Sequence, residues 1–224
     1  MEVACSVKNI VFSQVKRDCR FFRADVPCKP HKQHGVHCVD KKGKPCAYYD
    51  RVGKRILIIK LGAIGDVIRT TPLLHKLKQV EPHAELWWLT YSPDVVPRSV
   101  DVILSYNAQS LAILQATRFD VVYNLDKDRE ASALCSLLAA KKKKGYTLRE
   151  GKCVPINKAA EHKYLTGLFD DLSKANTKSY QEEIFELCGF KFSGEEYIMP
   201  EVPPFPWKLP NKKPIVGLNT GCGG

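Results

Sequence analysis

The chain has 224 residues, 44% of them hydrophobic, and a formal net charge of +11. That length and apolar content allow one good-sized buried core, and no apolar run approaches the roughly eighteen residues that a membrane span needs. Thirteen Lys and Arg against five Asp and Glu fall in the first 55 residues. Such a bias suits an anionic partner (nucleic acid, membrane surface or phosphorylated substrate), or else marks a well-solvated surface.

The opening "MEVACSVKNIVFSQVK" carries no charged n-region, apolar h-region or small-residue cleavage site, so a cytoplasmic address is expected. Nine cysteines without a secretory leader are then expected as reduced thiols rather than a disulfide framework. Residues 1–50 are rich in Cys, His, Lys and Pro and show little periodicity. Within "DCRFFRADVPCKPHKQHGVHCVDKKGKPCAYYD", Cys19, Cys28, Cys38 and Cys46 lie close together in sequence, with His31, His34 and His37 between them. This pattern points to a structural zinc held by the four cysteines, with the histidines as alternative ligands and an iron–sulfur cluster as the second choice. A metal would supply folding energy that so short a segment lacks. The spacing has no CxxC knuckle, and a flexible thiol-rich tail is the other reading. The "CRFFR" run would also suit contact with RNA or a membrane.

From residue 51 the pattern becomes α/β. "RILIIK" (Arg55–Lys60) is apolar on both faces, as a central parallel strand is. Asp66–Val80 has helical apolar spacing, and Pro72 inside it predicts a kink. Strands follow at Ala84–Thr90, Val100–Tyr106 and Phe119–Asp126, with helices over Ala108–Thr117 and Glu130–Ala140 and a short strand at Lys143–Leu148. Alternation of this kind predicts a parallel, doubly wound sheet over residues 51–200. Ala159–Ala175 and Thr177–Phe190 read as helices, the second ending on Gly189. Residues 201–214 are proline-rich and read as an extended linker, and 215–224 read as the first strand and glycine turn of a further α/β unit. The chain is therefore expected to be part of a longer protein.

The turn "KLGAIGDV" after the first strand has glycines at 62 and 65. It is neither a GxGxxG dinucleotide fingerprint nor a P-loop, because no Gly-Lys-Ser/Thr follows. What it supplies is a carboxylate, Asp66, at the start of a helix and at the carboxyl end of a strand, where open α/β sheets bind ligands. The residue pattern leaves two uses open: a helix cap, or a functional acid or base.

"RILIIKLGAIGDVIRTTPLL" closely resembles the N-terminal motif of the heptosyltransferases, glycosyltransferase family nine. "FDVVYNLDKDREASAL" and "GLNTGCGG" extend the resemblance over about residues 55–224. It implies a GT-B fold of two Rossmann-like halves, of which this is the N-terminal, acceptor-binding one. It implies inverting, metal-independent transfer of a sugar, typically heptose from ADP-heptose, to a lipopolysaccharide-core or related acceptor. The donor half would follow, so the chain by itself is expected to be inactive. The family's general base falls on Asp66. Gly62, Ala63 and Gly65 would let the acceptor approach the backbone. The family often has Lys at the position of Lys60, which implies an electrostatic role there toward acceptor or donor phosphate, the other reading being a strand-terminal surface lysine. By helix spacing Arg69 and Thr70 lie one turn after Asp66, on or near its face, with Arg69 either turned to an anionic acceptor or simply solvated. The expected partners are a nucleotide-sugar donor, an anionic glycolipid acceptor and the inner-membrane surface, and no nucleic acid. The Cys/His segment departs from the family's minimal pattern.

Other features are weaker. Lys141–Lys144 would meet acceptor phosphates or anionic lipid, or else be a solvated loop or helix end. Asn124, Asp126 and Lys127 end the fourth strand, again at the edge where open α/β sheets bind ligands, and Asp126 or Asp128 reads as the cap of the next helix. His162 reads as structural, Trp87 and Trp88 as packing residues on opposite faces, and Cys135, Cys153 and Cys188 as small buried hydrophobes or free thiols. The competing whole-chain readings are a metal-stabilised basic module for nucleic acid or membrane, and another Rossmann-like nucleotide enzyme, which the missing fingerprint disfavours.

Overall fold

The structure is a computed structural model, and it describes residues 10–40, 42–200, 214, 216 and 217. The expected proline-rich linker and the start of a second α/β unit lie outside the described residues, apart from positions 214, 216 and 217.

A six-stranded sheet in the order β3-β2-β1-β4-β5-β6 organises the fold. The strands are β1 (Lys54–Ile59), β2 (Ala84–Thr90), β3 (Val102–Ser105), β4 (Phe119–Asn124), β5 (Ala140–Arg149) and β6 (Lys152–Pro155). The first five pair in parallel and β6 runs antiparallel to β5. Alternate residues of β1 feed two apolar layers, as the period of two requires. Ile56 and Ile58 join Val67, Leu73, Leu77 and Phe185 on one face, while Leu57 and Ile59 join Leu114, Ala131 and Leu134 on the other. The first layer is covered by α2 (Ile64–Thr70), α3 (Leu73–Val80) and α8 (Tyr180–Cys188), the second by α4 (Ala108–Gln115) and α5 (Arg129–Leu137). This is the doubly wound arrangement that the alternating sequence predicts. Trp88 packs in the first layer and Trp87 against the second, edge-on to Phe119 at 5.6 Å.

Several elements differ from the sequence expectation. The helix expected over 66–80 begins at Ile64 and is two helices, because Pro72 has no N–H and the chain re-forms its ladder from Leu73. Ala159–Ala175 is likewise two helices, α6 (Lys158–Thr166) and α7 (Asp170–Ala175), divided at Gly167–Phe169. The lysine run 141–144 is neither loop nor helix end but part of β5. Lys141 pairs with Asp120 at 2.7 Å, and Lys144 donates to the Cys188 carbonyl at 2.5 Å. β6 was not expected. Glu150 (φ 48°) and Gly151 (φ 74°) form the tight turn that folds it back on β5. α8 is well specified: Ser179 and Glu182 make a reciprocal capping box, and Gly189 closes the helix at φ 81°.

Residues 10–53 form short turns around one helix, α1 (Lys29–His34), with Pro30 in its first turn and Gly35 as left-handed cap. Among the described residues of this segment only Cys19, Pro30 and Val39 are fully buried. It docks on the sheet through Arg20, which bonds Asp50 at 3.0 Å and Asp101 at 2.8 Å. Among the described residues no helix is long and apolar enough to cross a membrane.

Candidate active site

The strand order reverses at β1. The chain moves outward through β2 and β3, then returns to place β4 on the other side of β1. The crevice at the carboxyl ends of two such strands is where open α/β sheets take ligands. Here a cavity of about 310 Å³ opens at that point, lined by Lys60, Asp66, Asp126, Lys127, Lys163, Tyr180 and Glu183 among others.

Lys60 leaves the end of β1 buried, and its ammonium donates to the Asp126 carboxylate and to the Gly62 carbonyl. The other Asp126 oxygen accepts the Leu61 N–H. Asp126 therefore ties the end of β4 to the turn after β1 and does not cap α5, where Asp128 holds the cap position without a side-chain bond. Burial pushes the Asp126 carboxyl up from its ordinary value, and Lys60 beside it pulls the other way. Asn124 supports this corner by accepting the Asp126 N–H and donating to the Tyr146 carbonyl at 2.9 Å.

Asp66 lies in the first turn of α2, where Ala63 occupies the cap position and no side chain caps the helix. Its carboxylate faces Lys60 at 3.7 Å and Arg69 at 3.3 Å, with about a third of the side chain exposed to the cavity mouth. Arg69 stacks over the Tyr180 ring at 4.1 Å, and Lys163 approaches the same ring at 4.4 Å. Burial pushes the Tyr180 hydroxyl well above the ordinary tyrosine range. Thr70 donates to the Asp66 carbonyl at 2.8 Å and lies 3.4 Å from the Tyr180 hydroxyl.

The far wall comes from α6 and α8. The buried Glu183 accepts from Lys163 at 2.8 Å, Asn176 at 3.3 Å and Thr166 at 3.4 Å, with His162 also 3.4 Å away. Lys127 reaches across from the end of β4 without an ion pair or hydrogen bond among the described residues. Burial, with the Lys163 charge nearby, pulls its ammonium below the usual lysine range. The Lys127 ammonium rests against Gly167, where a Cβ would come within 1.8 Å of its Nζ.

Of the residues singled out from the sequence, Lys60 and Asp66 line the cavity, while Arg69 and Thr70 contact its Tyr180 wall. Gly62 and Ala63 form the turn after β1, Gly65 lies in the first turn of α2, and the Gly62–Ala63 peptide is cis. A Cβ at Gly65 would meet no atom within 4 Å, so the fold's own packing does not require glycine there. Sequence reasoning missed the Asp126 pairing, the Glu183 network and Tyr180. His162 is exposed, with its Nδ1 3.4 Å from Glu183; Cys135 and Cys188 are buried as expected, whereas Cys153 is half-buried.

No protein-family model matches the chain, and no curated protein matches it. Three solved structures are similar. A glycosyl transferase family 9 structure from Veillonella parvula is 23% identical, with 43% of this chain and 32% of that one covered and a TM-score of 0.38. The E. coli heptosyltransferase WaaC with ADP is 16% identical, covering 64% of this chain and 50% of that one, with a TM-score of 0.41. The same enzyme with ADP-2-deoxy-2-fluoro heptose gives 17%, 64%, 51% and 0.39. The chain thus spans a third to a half of the length of the structures it matches.

Proposed function

We propose that this chain is the acceptor-side half of an inverting glycosyltransferase of the heptosyltransferase type, with Asp66 as general base. The observation that carries the reading is the Asp66 carboxylate, partly exposed at the strand switch point and set over a cavity with three lysines on its walls. The motif resemblance around "LGAIGD" supports the same assignment.

The chemistry asks little else of this half. As an acceptor hydroxyl attacks the anomeric carbon of the donor, its proton passes to Asp66, the new C–O bond forms, and the bond to the nucleoside diphosphate breaks. Lys60 and Arg69 on either side fix the direction of the carboxylate. Lys127 and Lys163 give an anionic acceptor its counter-charges, and the Tyr180 ring gives a sugar an apolar face. On this reading the donor is a nucleotide sugar such as ADP-heptose, and the acceptor an anionic glycan or glycolipid.

The test is a sugar-transfer assay on the intact enzyme. Asp66→Asn is expected to lower turnover by about 100-fold or more, with donor affinity unchanged. Transfer at the parental rate by that variant would remove Asp66 from the role.

A further inference from the structure

We propose that Cys19, Cys28, Cys38 and Cys46 bind one zinc ion as a four-thiolate structural site, independently of the sugar chemistry. The four residues lie 27 positions apart from first to last in sequence, yet all four line one cavity of about 20 Å³. That is the room of a single ion or water, and its walls are otherwise Phe, Pro and Tyr. A water would find few polar partners there. All four cysteines are free thiols.

The backbone around them holds the four cysteines about the cavity. Cys38 and Cys46 flank a tight hairpin, closed by the Val39–Pro45 bridge and by the Cys46 N–H on the Cys38 carbonyl at 3.1 Å. The Asp40 carboxylate, which accepts the Lys42 and Lys44 N–H groups at 2.8 and 2.9 Å, stiffens its tip. The Lys16 N–H points at the Cys38 sulfur at 3.3 Å. Such N–H donation stabilises a ligating thiolate far more than a neutral thiol. Cys28 sits at the start of α1, and Cys19 is pinned by its bridge to Arg51.

The histidines do not compete. The His31 Nδ1 bonds the Val36 carbonyl at 3.0 Å, His34 stacks on Tyr48 at 4.8 Å, and no histidine lines the cavity. Among the described residues no group of three or more His, Cys, Asp or Glu stands in a geometry that could hold a metal ion, so the proposed site requires the four sulfurs to approach one another on binding. The four thiol protons leave to solvent as the zinc–sulfur bonds form. With three fully buried residues in this segment, the ion takes the place of a hydrophobic core. Arg20, next to Cys19, carries the docking bonds to Asp50 and Asp101, ahead of β1 and at the start of β3. The site therefore sits at the amino edge of the sheet, opposite Asp66, and its role is to hold the segment in place.

The experiment is metal analysis of the full chain purified under reducing conditions, with cobalt replacement of the bound ion. The expected result is about one zinc per chain, released by a thiol-specific mercurial, and the absorption bands of a tetrahedral four-sulfur cobalt site. Cys28→Ser and Cys46→Ser each abolish or shift those bands, whereas Cys153→Ser leaves them unchanged. Should the serine variants fail to fold, the mercurial release from the parent chain decides the matter alone. Absence of stoichiometric metal together with absence of cobalt bands overturns the proposal. So does iron with acid-labile sulfide, or loss of the free thiols to two disulfides.

Discussion

Lys60 carries its charge into a nearly water-free corner, with Asp126 against it and Asp66 3.7 Å away. Removing one member of a buried pair strands the other, which costs about 3–5 kcal/mol, while replacing both by apolar groups of similar volume is often close to neutral. Lys60→Met is therefore expected to lower the urea midpoint strongly, and Lys60→Met with Asp126→Leu to recover most of the loss. A double variant as unstable as the single one would show that the Leu61 N–H contact, not the ion pair, dominates. Lys127 gives a second prediction. Its protonated form attracts anions, and its pKa lies below that of an ordinary lysine. Affinity for inorganic phosphate, followed by NMR titration, should thus fall as pH rises through that lowered value, earlier than a solvent-exposed lysine would allow. Lys127→Arg should carry binding further into the alkaline range, because guanidinium stays charged.

Gly145, in the middle of β5, shows how an element positions the site. It has φ 96°, and a Cβ would come within 1.8 Å of the Asn124 carbonyl oxygen. This close approach seats β5 against the end of β4, from which Asn124 and Asp126 build the corner around Lys60. Gly145→Ala is expected to destabilise the chain by about 3 kcal/mol or more, read as a fall in thermal midpoint. The strands with apolar runs were legible in the sequence to within a residue or two, because a strand buried on both faces has little choice of composition. β5 was only partly legible, since four successive lysines mask a strand in which Lys141, Lys143 and Lys144 find Asp120, the Ser136 carbonyl and the Cys188 carbonyl. β6, four residues long, offers no pattern of its own and exists because the Glu150–Gly151 turn delivers it to β5.

For the molecule as a whole, Asp66 could be found from its place after the first strand, because local order sets it at the switch point. The pairing of Asp126 and the network of Glu183 could not. The Lys60–Asp126 pair joins groups 66 residues apart, and Glu183 gathers partners from α6 and the loop after α7, so neither leaves a local signature. The basic bias of the first 55 residues also looked different once folded. Arg20, Arg23 and Arg51 are engaged with Asp50, Asp101, Asp25 and Asp18, while in the cavity at the other edge of the sheet Lys60 and Lys163 are matched by Asp126 and Glu183, which leaves Lys127 as the lysine of that wall without an ion pair among the described residues.

The two flanks of the sheet are β3 and β6, each four residues long. Short flanks offer a neighbouring chain little to pair with, and the reversed direction of β6 interrupts the parallel series there. The sheet is in this sense self-limiting. A second folded unit that met either flank would find only four residues of strand to pair with, so lengthening the sheet is the least favoured way for this unit to join another.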